Sequence, residues 1–116
     1  MKHPPNQIFV FGSNAAGRHG RGAARQAMHR YGAEYGIGEG RTGNAYAIPT
    51  KGYQLERLPL GAIKGHVRGF LEYAWMHPEL SFYVTRVGCG LAGYTEEEIK
   101  PLFEEAPENC EFTWLT

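Results

Sequence analysis

The chain has 116 residues, the size of one domain, so we look for a single functional site. Its lysine and arginine residues balance its aspartate and glutamate residues, 12 against 12, which excludes a protein drawn to nucleic acid or membranes by a strong net charge. Hydrophobic residues make up 42% and charged residues 21%, which excludes a disordered chain and leaves the 16 glycines as the feature to explain.

Residues 1–6 lack the apolar run of a signal peptide, and no later run is long enough to span a membrane. Cys89 and Cys110 are too few for a disulfide scaffold and lack the paired spacing of a zinc site. We therefore expect a cytoplasmic protein with free thiols and without a metal or a cofactor.

The first predicted elements are a strand, a loop and a helix. Ile8–Phe11 is a continuous run of β-formers, typical of a strand buried on both faces, and it stops at Gly12. The loop Gly12–Gly22 is rich in glycine, and Ala23–Tyr31 favours a helix. Gly32–Gly43 has no apolar period and is predicted to be a loop.

A second strand and a long helix follow. Asn44–Pro49 predicts the strand, with Thr50 and Lys51 just past its end. Between Pro59 and Pro78, apolar residues recur at spacings of three and four, which predicts a helix with one apolar face. That face comprises Leu60, Ile63, Val67, Phe70, Leu71, Ala74 and Trp75.

Gly61, Gly65 and Gly69 recur every four residues in this helix, as in the small-residue dimer motif of membrane helices. The charged Lys64 and Arg68 among them exclude a bilayer. We therefore predict that these glycines allow the helix to pack closely on a sheet.

The last third of the chain predicts another strand, loop and helix. Ser81–Val87 is the strand, and Gly88–Gly93 is the second glycine-rich loop. Thr95 and Glu98 have the spacing of a capping box that opens a helix. Pro101 predicts a kink or a break in that helix, because its ring clashes with the carbonyl four residues earlier.

Glu111–Leu115 alternates between polar and apolar residues and predicts a short final strand. Strands alternating with helices predict one α/β domain, residues 1–116, with a mostly parallel sheet. In such a sheet ligands bind beyond the carboxyl ends of the strands, where both glycine-rich loops fall. Backbone N–H groups there can bind phosphate, so two loops suit a diphosphate, although glycine loops also serve as plain turns.

Three segments resemble the macrodomain family. In chain order they are Asn14 with Gly20–Ala24, then Tyr46–Lys51, then Gly88–Gly93, and the match runs from about Ile8 to the end. The resemblance implies a minimal three-layer α/β/α fold with a mostly parallel mixed sheet. It also implies a phage or bacterial origin.

The Pro49-Thr50-Lys51 and Gly88-Cys89-Gly90-Leu91 sequences are most similar to the lysine-dependent ADP-ribosyl glycohydrolase branch, which includes an animal enzyme and bacterial DNA-directed antitoxins. In the antitoxins the residues matching Asn14 and Lys51 remove ADP-ribose from thymidine. The resemblance thus implies Lys51 and Asn14 as catalytic residues, with ADP-ribose or an ADP-ribosylated substrate, including DNA, as partner. The implied ligand-binding residues are Gly12, Ser13, Gly20, Arg21, Gly22, Ala23, Thr50, Gly88, Cys89, Gly90, Leu91, Ala92, Gly93 and Tyr94.

This chain departs from the pattern at two points. Ala92 stands where the animal enzyme has a catalytic aspartate and the antitoxins have glycine, which favours antitoxin-like chemistry. The residues before Ile8 contain no aspartate, whereas typical macrodomains read adenine with one in the segment before this strand.

Each candidate also has a plainer interpretation. Lys51 can be a solvated surface charge, and Asn14 can cap its own loop. Cys89 is better explained as a small buried filler than as a nucleophile. Arg18 and Arg21, with Arg25 nearby, can form a solvated face or contact a pyrophosphate or a DNA backbone.

Three functions remain open from the sequence. The first is hydrolysis of an ADP-ribosyl bond on a nucleobase or a protein. The second is a binding module that holds ADP-ribose or a signalling nucleotide without cleaving it. The third is a small partner-binding protein in which the glycine loops serve packing only.

Overall fold

The computed structural model describes residues 6–90 and 92–114. Its strands and helices alternate along most of the chain. They are β1 (Gln7–Asn14), α1 (Gly22–Arg30), β2 (Gly40–Thr42), β3 (Ala45–Lys51), α2 (Leu60–Met76), β4 (Ser81–Val84), α3 (Glu96–Ile99) with a 3₁₀ helix at Lys100–Phe103, and β5 (Cys110–Phe112).

The strands form one five-stranded sheet in the order β2-β3-β1-β4-β5. β1 pairs in parallel with β3 and β4, and β4 pairs in parallel with β5. Among the strands that the structure describes, only β2 runs antiparallel, against β3. The predicted α/β fold with a mostly parallel mixed sheet is therefore confirmed.

Alternate residues of β1 enter different cores on the two faces of the sheet. Ile8 and Val10 belong to the larger core, which α2 and the 3₁₀ helix cover. Phe9 and Phe11 belong to the smaller core under α1. Each core closes one face, so the molecule has three layers with the sheet in the middle.

Helix α2 buries the predicted apolar face through Ile63, Val67, Phe70, Leu71 and Ala74. Trp75, which the same spacing assigned to this face, is 63% exposed. The predicted role of the helix glycines is also wrong. Gly61, Gly65 and Gly69 lie on the exposed side of α2, and a Cβ atom on any of them would meet open space.

Most other differences concern the ends of elements. β1 continues past Gly12 to Asn14, and β3 includes both Thr50 and Lys51. β4 ends at Val84, because the chain turns at Val87–Gly88 toward the second loop. The hydrogen bonds to neighbouring strands, not the local composition, decide these ends.

Strand β2 lies inside the segment that the sequence predicts to be a loop. The predicted last strand is shifted, since β5 ends at Phe112, and Leu115 lies outside the described residues. The break at Pro101 is confirmed, because α3 ends at Ile99 and the chain tightens into the 3₁₀ helix.

Candidate functional site

A cleft of about 750 Å³ lies at the carboxyl ends of β1, β3 and β4. The two glycine-rich loops form its opposite walls. Most of the predicted site residues line it. These are Gly12, Ser13, Asn14, Gly20, Arg21, Gly22, Ala23, Thr50, Lys51, Gly88, Cys89, Gly90 and Ala92.

Some of the predicted site residues do not line the cleft. Gly93 and Tyr94 do not line the cleft, and Leu91 lies outside the described residues. Tyr94 is buried and its hydroxyl donates a hydrogen bond to the Leu58 carbonyl at 2.6 Å, while Arg57 lies 4.3 Å from its ring centre. Tyr94 therefore anchors the loop before α2 and does not contact the cleft.

The first loop is held by side chains at the end of β1. The Ser13 hydroxyl donates to the Gly38 carbonyl, and a register shift between Ser13 and Asn14 bends the strand. The Asn14 side chain accepts from the Arg18 backbone N–H at 2.9 Å and donates to the Arg18 carbonyl at 3.0 Å. Asn14 thus closes the loop, and one N–H and one lone pair of its amide remain for a ligand.

Glycines in and near the cleft differ in how closely they are packed. Gly38 packs against the first loop, where a Cβ atom would lie 2.7 Å from the Ala15 carbonyl oxygen. Gly20, Gly22 and Gly90 line the cleft, and a Cβ atom on any of them would meet open space. The open group leaves backbone N–H groups accessible to a phosphate.

The amino terminus of α1 opens into the cleft through Gly22, Ala23 and Ala24. Its N-cap residue, Arg21, makes no side-chain capping bond, and the first turn contains no acidic residue. The first N–H groups of a helix lack partners inside the helix and carry partial positive charge. This terminus can therefore bind an anion.

Lys51 ends β3 beside Asn14, its partner across the strand pair. Its carbonyl accepts from the Ala15 N–H at 2.9 Å, which fastens the end of β3 to the first loop. Its side chain is partly buried at the cleft wall and makes no hydrogen bond or ion pair with another residue that the structure describes. The amine is therefore open to a ligand.

The cleft walls are positively charged in a chain whose net charge is zero. Arg18, Arg21, Lys51 and Arg86 line it, and no acidic residue is among the lining residues in the described part of the chain. Arg86 forms an ion pair with Glu96, which does not line the cleft, with 2.6 Å between the Arg86 Nε and the carboxylate oxygen. Arg18, Arg21 and Lys51 thus have no ion-pair partner among the described residues.

Cys89 lies in the second loop, half-buried, with its thiol 3.6 Å from the Val87 carbonyl. Burial raises the pKa of this thiol above its usual value, so the unreactive thiol form dominates near neutral pH. This agrees with the expected role as a filler. His19 is fully buried, and its Nε2 donates a hydrogen bond to the Ile37 carbonyl oxygen at 3.1 Å.

Sequence reasoning missed part of the lining. Tyr35 and Leu55 line the mouth of the cleft, and Thr85, Arg86 and Thr113 line its far side. They come from segments that meet only in the folded chain. Tyr35 belonged to a predicted loop without a motif, so no local signal marked it.

The fold is similar to two solved structures from Bacteroides thetaiotaomicron. One, described as a protein of unknown function, has a TM-score of 0.63 at 16% identity, over 89% of this chain and 81% of that chain. The other, an X-ray crystal structure of a protein, has a TM-score of 0.61 at 15% identity, over 90% of this chain and 84% of that chain. At these identities the similarity shows the fold alone.

No protein-family model matches the chain, and no curated protein matches it by sequence. None of the helices within residues 6–90 and 92–114 has the length and apolar character that a membrane crossing needs. The site's geometry therefore supplies the functional argument.

Proposed function

We propose that the cleft binds an ADP-ribose-type nucleotide and hydrolyses the bond between its distal ribose and a substituent. The observation that carries this is a cleft lined by cations without an acidic residue, beside open glycines and an uncapped helix terminus. Its volume, about 750 Å³, suits a small-molecule ligand. The diphosphate would lie between the terminus of α1 and the backbone at Gly88–Gly90.

Lys51 is the proposed nucleophile because its amine is unpaired at the cleft wall. A neutral lysine amine attacks a carbonyl-like carbon. The amine forms a bond to C1 of the distal ribose as the bond from C1 to the substituent breaks, and the bond from C1 to the ring oxygen then breaks to give a Schiff base. The leaving group and the ring oxygen each take one of the two amine protons, and water then hydrolyses the Schiff base, which releases ADP-ribose and restores the amine. The second N–H of the Asn14 amide, which the bond to the Arg18 carbonyl does not use, is the proposed donor to the ribose.

A binding module without turnover is the second candidate. Much of the Asn14 amide is used by Arg18, and the described lining offers no carboxylate to act as a general acid or base. Both observations favour binding over cleavage. Both candidates suit the cytoplasm, where ADP-ribosylated DNA or protein is the proposed partner and where free Cys89 and Cys110 stay reduced.

The binding test is titration calorimetry with ADP-ribose, supported by a thermal shift. A ligand that binds only the folded chain raises its melting temperature in proportion to the logarithm of its concentration. We expect ribose 5-phosphate, which lacks the diphosphate, to bind at least tenfold more weakly. No heat and no shift at millimolar ADP-ribose would remove both candidates.

The turnover test uses DNA carrying ADP-ribosyl thymidine and a protein carrying ADP-ribosylated carboxylates. We expect Lys51→Ala to abolish release of ADP-ribose from the substrate that the wild type cleaves, while ADP-ribose binding is largely retained. Borohydride should trap an adduct on the wild type and none on Lys51→Ala. Lys64→Ala, on the exposed side of α2, is the matched control.

The outcomes separate the two candidates. If the wild type binds ADP-ribose but cleaves neither substrate, the protein is the binding module. If Lys51→Ala still releases ADP-ribose, Lys51 is not the nucleophile.

A further inference from the structure

Two large apolar side chains stand exposed at the mouth of the cleft. Tyr35 is 63% exposed and Leu55 is 41% exposed, and both line the cleft. We call Tyr35 and Leu55 the rim pair. Exposed apolar area beside a cleft marks a surface that a ligand can cover.

Leu55 is held in a strained backbone conformation. Its φ angle is +65°, and no other non-glycine residue that the structure describes has a positive φ angle. The left-handed region costs an L-residue roughly 1–2 kcal/mol. Backbone hydrogen bonds impose it, from the Leu55 N–H to the Gly52 carbonyl at 3.0 Å and from the Gly52 N–H to the Glu56 carbonyl at 2.8 Å. Strain that surrounding bonds maintain is common at ligand sites.

Tyr35 is positioned by the buried face of the first loop. The His19 ring meets the Tyr35 ring nearly edge-on, with 6.3 Å between ring centres. The Gly36 N–H donates to the Gly17 carbonyl at 2.9 Å, which ties the Tyr35 segment to the loop. Backbone hydrogen bonds thus hold the two segments that carry the rim pair, so the pair presents a preformed apolar surface.

The rim pair lies at the Lys51 end of the cleft. Leu55 belongs to the turn that directly follows Lys51, and Tyr35 belongs to the segment bonded to the loop that starts at Asn14. The proposed diphosphate cradle includes Gly88–Gly90 on the other wall. Under the proposed function, C1 of the distal ribose faces Lys51, so the group attached to C1 reaches the rim pair.

We propose that Tyr35 and Leu55 hold a flat heterocyclic ring attached to C1 of the distal ribose, and so set the specificity of the site for ring-bearing ligands. This inference rests on the proposed function. An aromatic ring and a branched aliphatic side chain match the faces of a planar ring, and stacking on an aromatic side chain contributes about 1–3 kcal/mol per base. A carboxylate-linked ADP-ribose offers no such face.

The test compares two ligands that share ADP-ribose and differ at C1. Reduced NAD carries an uncharged, nearly flat dihydronicotinamide ring, and the methyl glycoside of ADP-ribose carries a methyl group. We expect the wild type to bind reduced NAD at least tenfold more tightly than the methyl glycoside in titration calorimetry. Leu55→Gly and Tyr35→Ala should each lower this ratio at least threefold.

Two controls separate ligand contact from folding. Glycine adopts a φ of +65° without strain, so Leu55→Gly should keep or raise the melting temperature while it weakens ring binding. Tyr53→Ala, a change at a 73% exposed side chain of the same turn that lies outside the cleft, should alter neither affinity.

The two proposals fail in different ways. A wild-type ratio near one, or an unchanged ratio in both rim variants, overturns the role of the rim pair while ADP-ribose binding stands. Absence of ADP-ribose binding overturns the proposed function and this inference together.

Discussion

The two glycine-rich loops lead into helices whose amino termini are built in opposite ways. After the first loop, α1 starts at Gly22 without a side-chain cap and without an acid in its first turn. After the second loop, α3 starts with the capping box of Thr95 and Glu98, and its first turn is Glu96–Glu98. The first terminus is open to an anion, and the second is already satisfied by its own side chains.

This difference changes how a diphosphate can be held. Two similar loops predict two similar phosphate sites, each at a helix dipole. Of the helices that follow the two loops, only α1 offers that dipole, while the second loop offers backbone N–H groups near the open Gly90. We expect the first loop to supply most of the binding energy and the second loop to shape the cleft.

The largest expected effect tests how rigidly the first loop is held. Gly38→Ala places a Cβ atom against the Asn14 and Ala15 carbonyls, so the loop must move. We expect a loss of about 3 kcal/mol in the free energy of unfolding, measured with urea. Gly36→Ala, where a Cβ atom meets open space and only the φ of +95° opposes the change, should lose roughly 1 kcal/mol. Equal losses would contradict the packing argument.

The next change gives α1 the kind of terminus that α3 has. Arg21 has the extended backbone of an N-cap residue, so Arg21→Asp can cap α1 while it adds a negative charge in the cleft. We expect a higher melting temperature together with a loss of ADP-ribose affinity of about 100-fold, near 2.7 kcal/mol. Arg25→Asp, outside the cleft lining, is the charge control. Unchanged affinity in Arg21→Asp would show that α1 does not bind the diphosphate.

A smaller effect is expected from the second loop. Gly90→Val directs a side chain into the cleft from a position with open space and without a positive φ. The melting temperature should stay the same, and ADP-ribose affinity should fall about tenfold, near 1.4 kcal/mol. A loss greater than that of Arg21→Asp would reverse the ranking of the two loops.

The smallest effect concerns stability alone. Thr95→Ala removes the bond from the Glu98 N–H to the threonine hydroxyl, 3.2 Å in length. We expect a loss of about 1 kcal/mol in the free energy of unfolding and unchanged affinity, measured by urea titration and calorimetry. A change in affinity would show that the cap of α3 takes part in binding.

The sequence predicts the central part of the fold because its signals are local. The apolar runs of β1 and β3 and the three-and-four spacing of α2 each follow from the burial of one element. β2 escapes prediction because Gly40–Thr42 gains its strand conformation from pairing with β3. The role of the α2 glycines is predicted wrongly, because a four-residue period does not show whether the glycines lie on the buried or the exposed face of the helix.

Like the fold, the candidate site can be predicted from the sequence only where its residues belong to a local motif. Motif spacing predicts that Asn14, Lys51 and Gly88 meet at one cleft, because Asn14 and Lys51 end two parallel strands and Gly88 follows a third strand of the same sheet. It does not predict Tyr35 or Leu55, whose positions depend on contacts with distant segments. Residues that shape a cleft mouth carry little local signal of their own.

The central position of β1 in the sheet determines the order in which the sheet can form during synthesis. β1 precedes both of the strands that pair with it, Ala45–Lys51 on one side and Ser81–Val84 on the other. Until the later partner has been synthesised, one edge of β1 keeps free backbone groups that can pair with another chain. Until Ser81–Val84 and the second glycine-rich loop have been synthesised, the chain therefore has one wall of the cleft and one unpaired edge of β1.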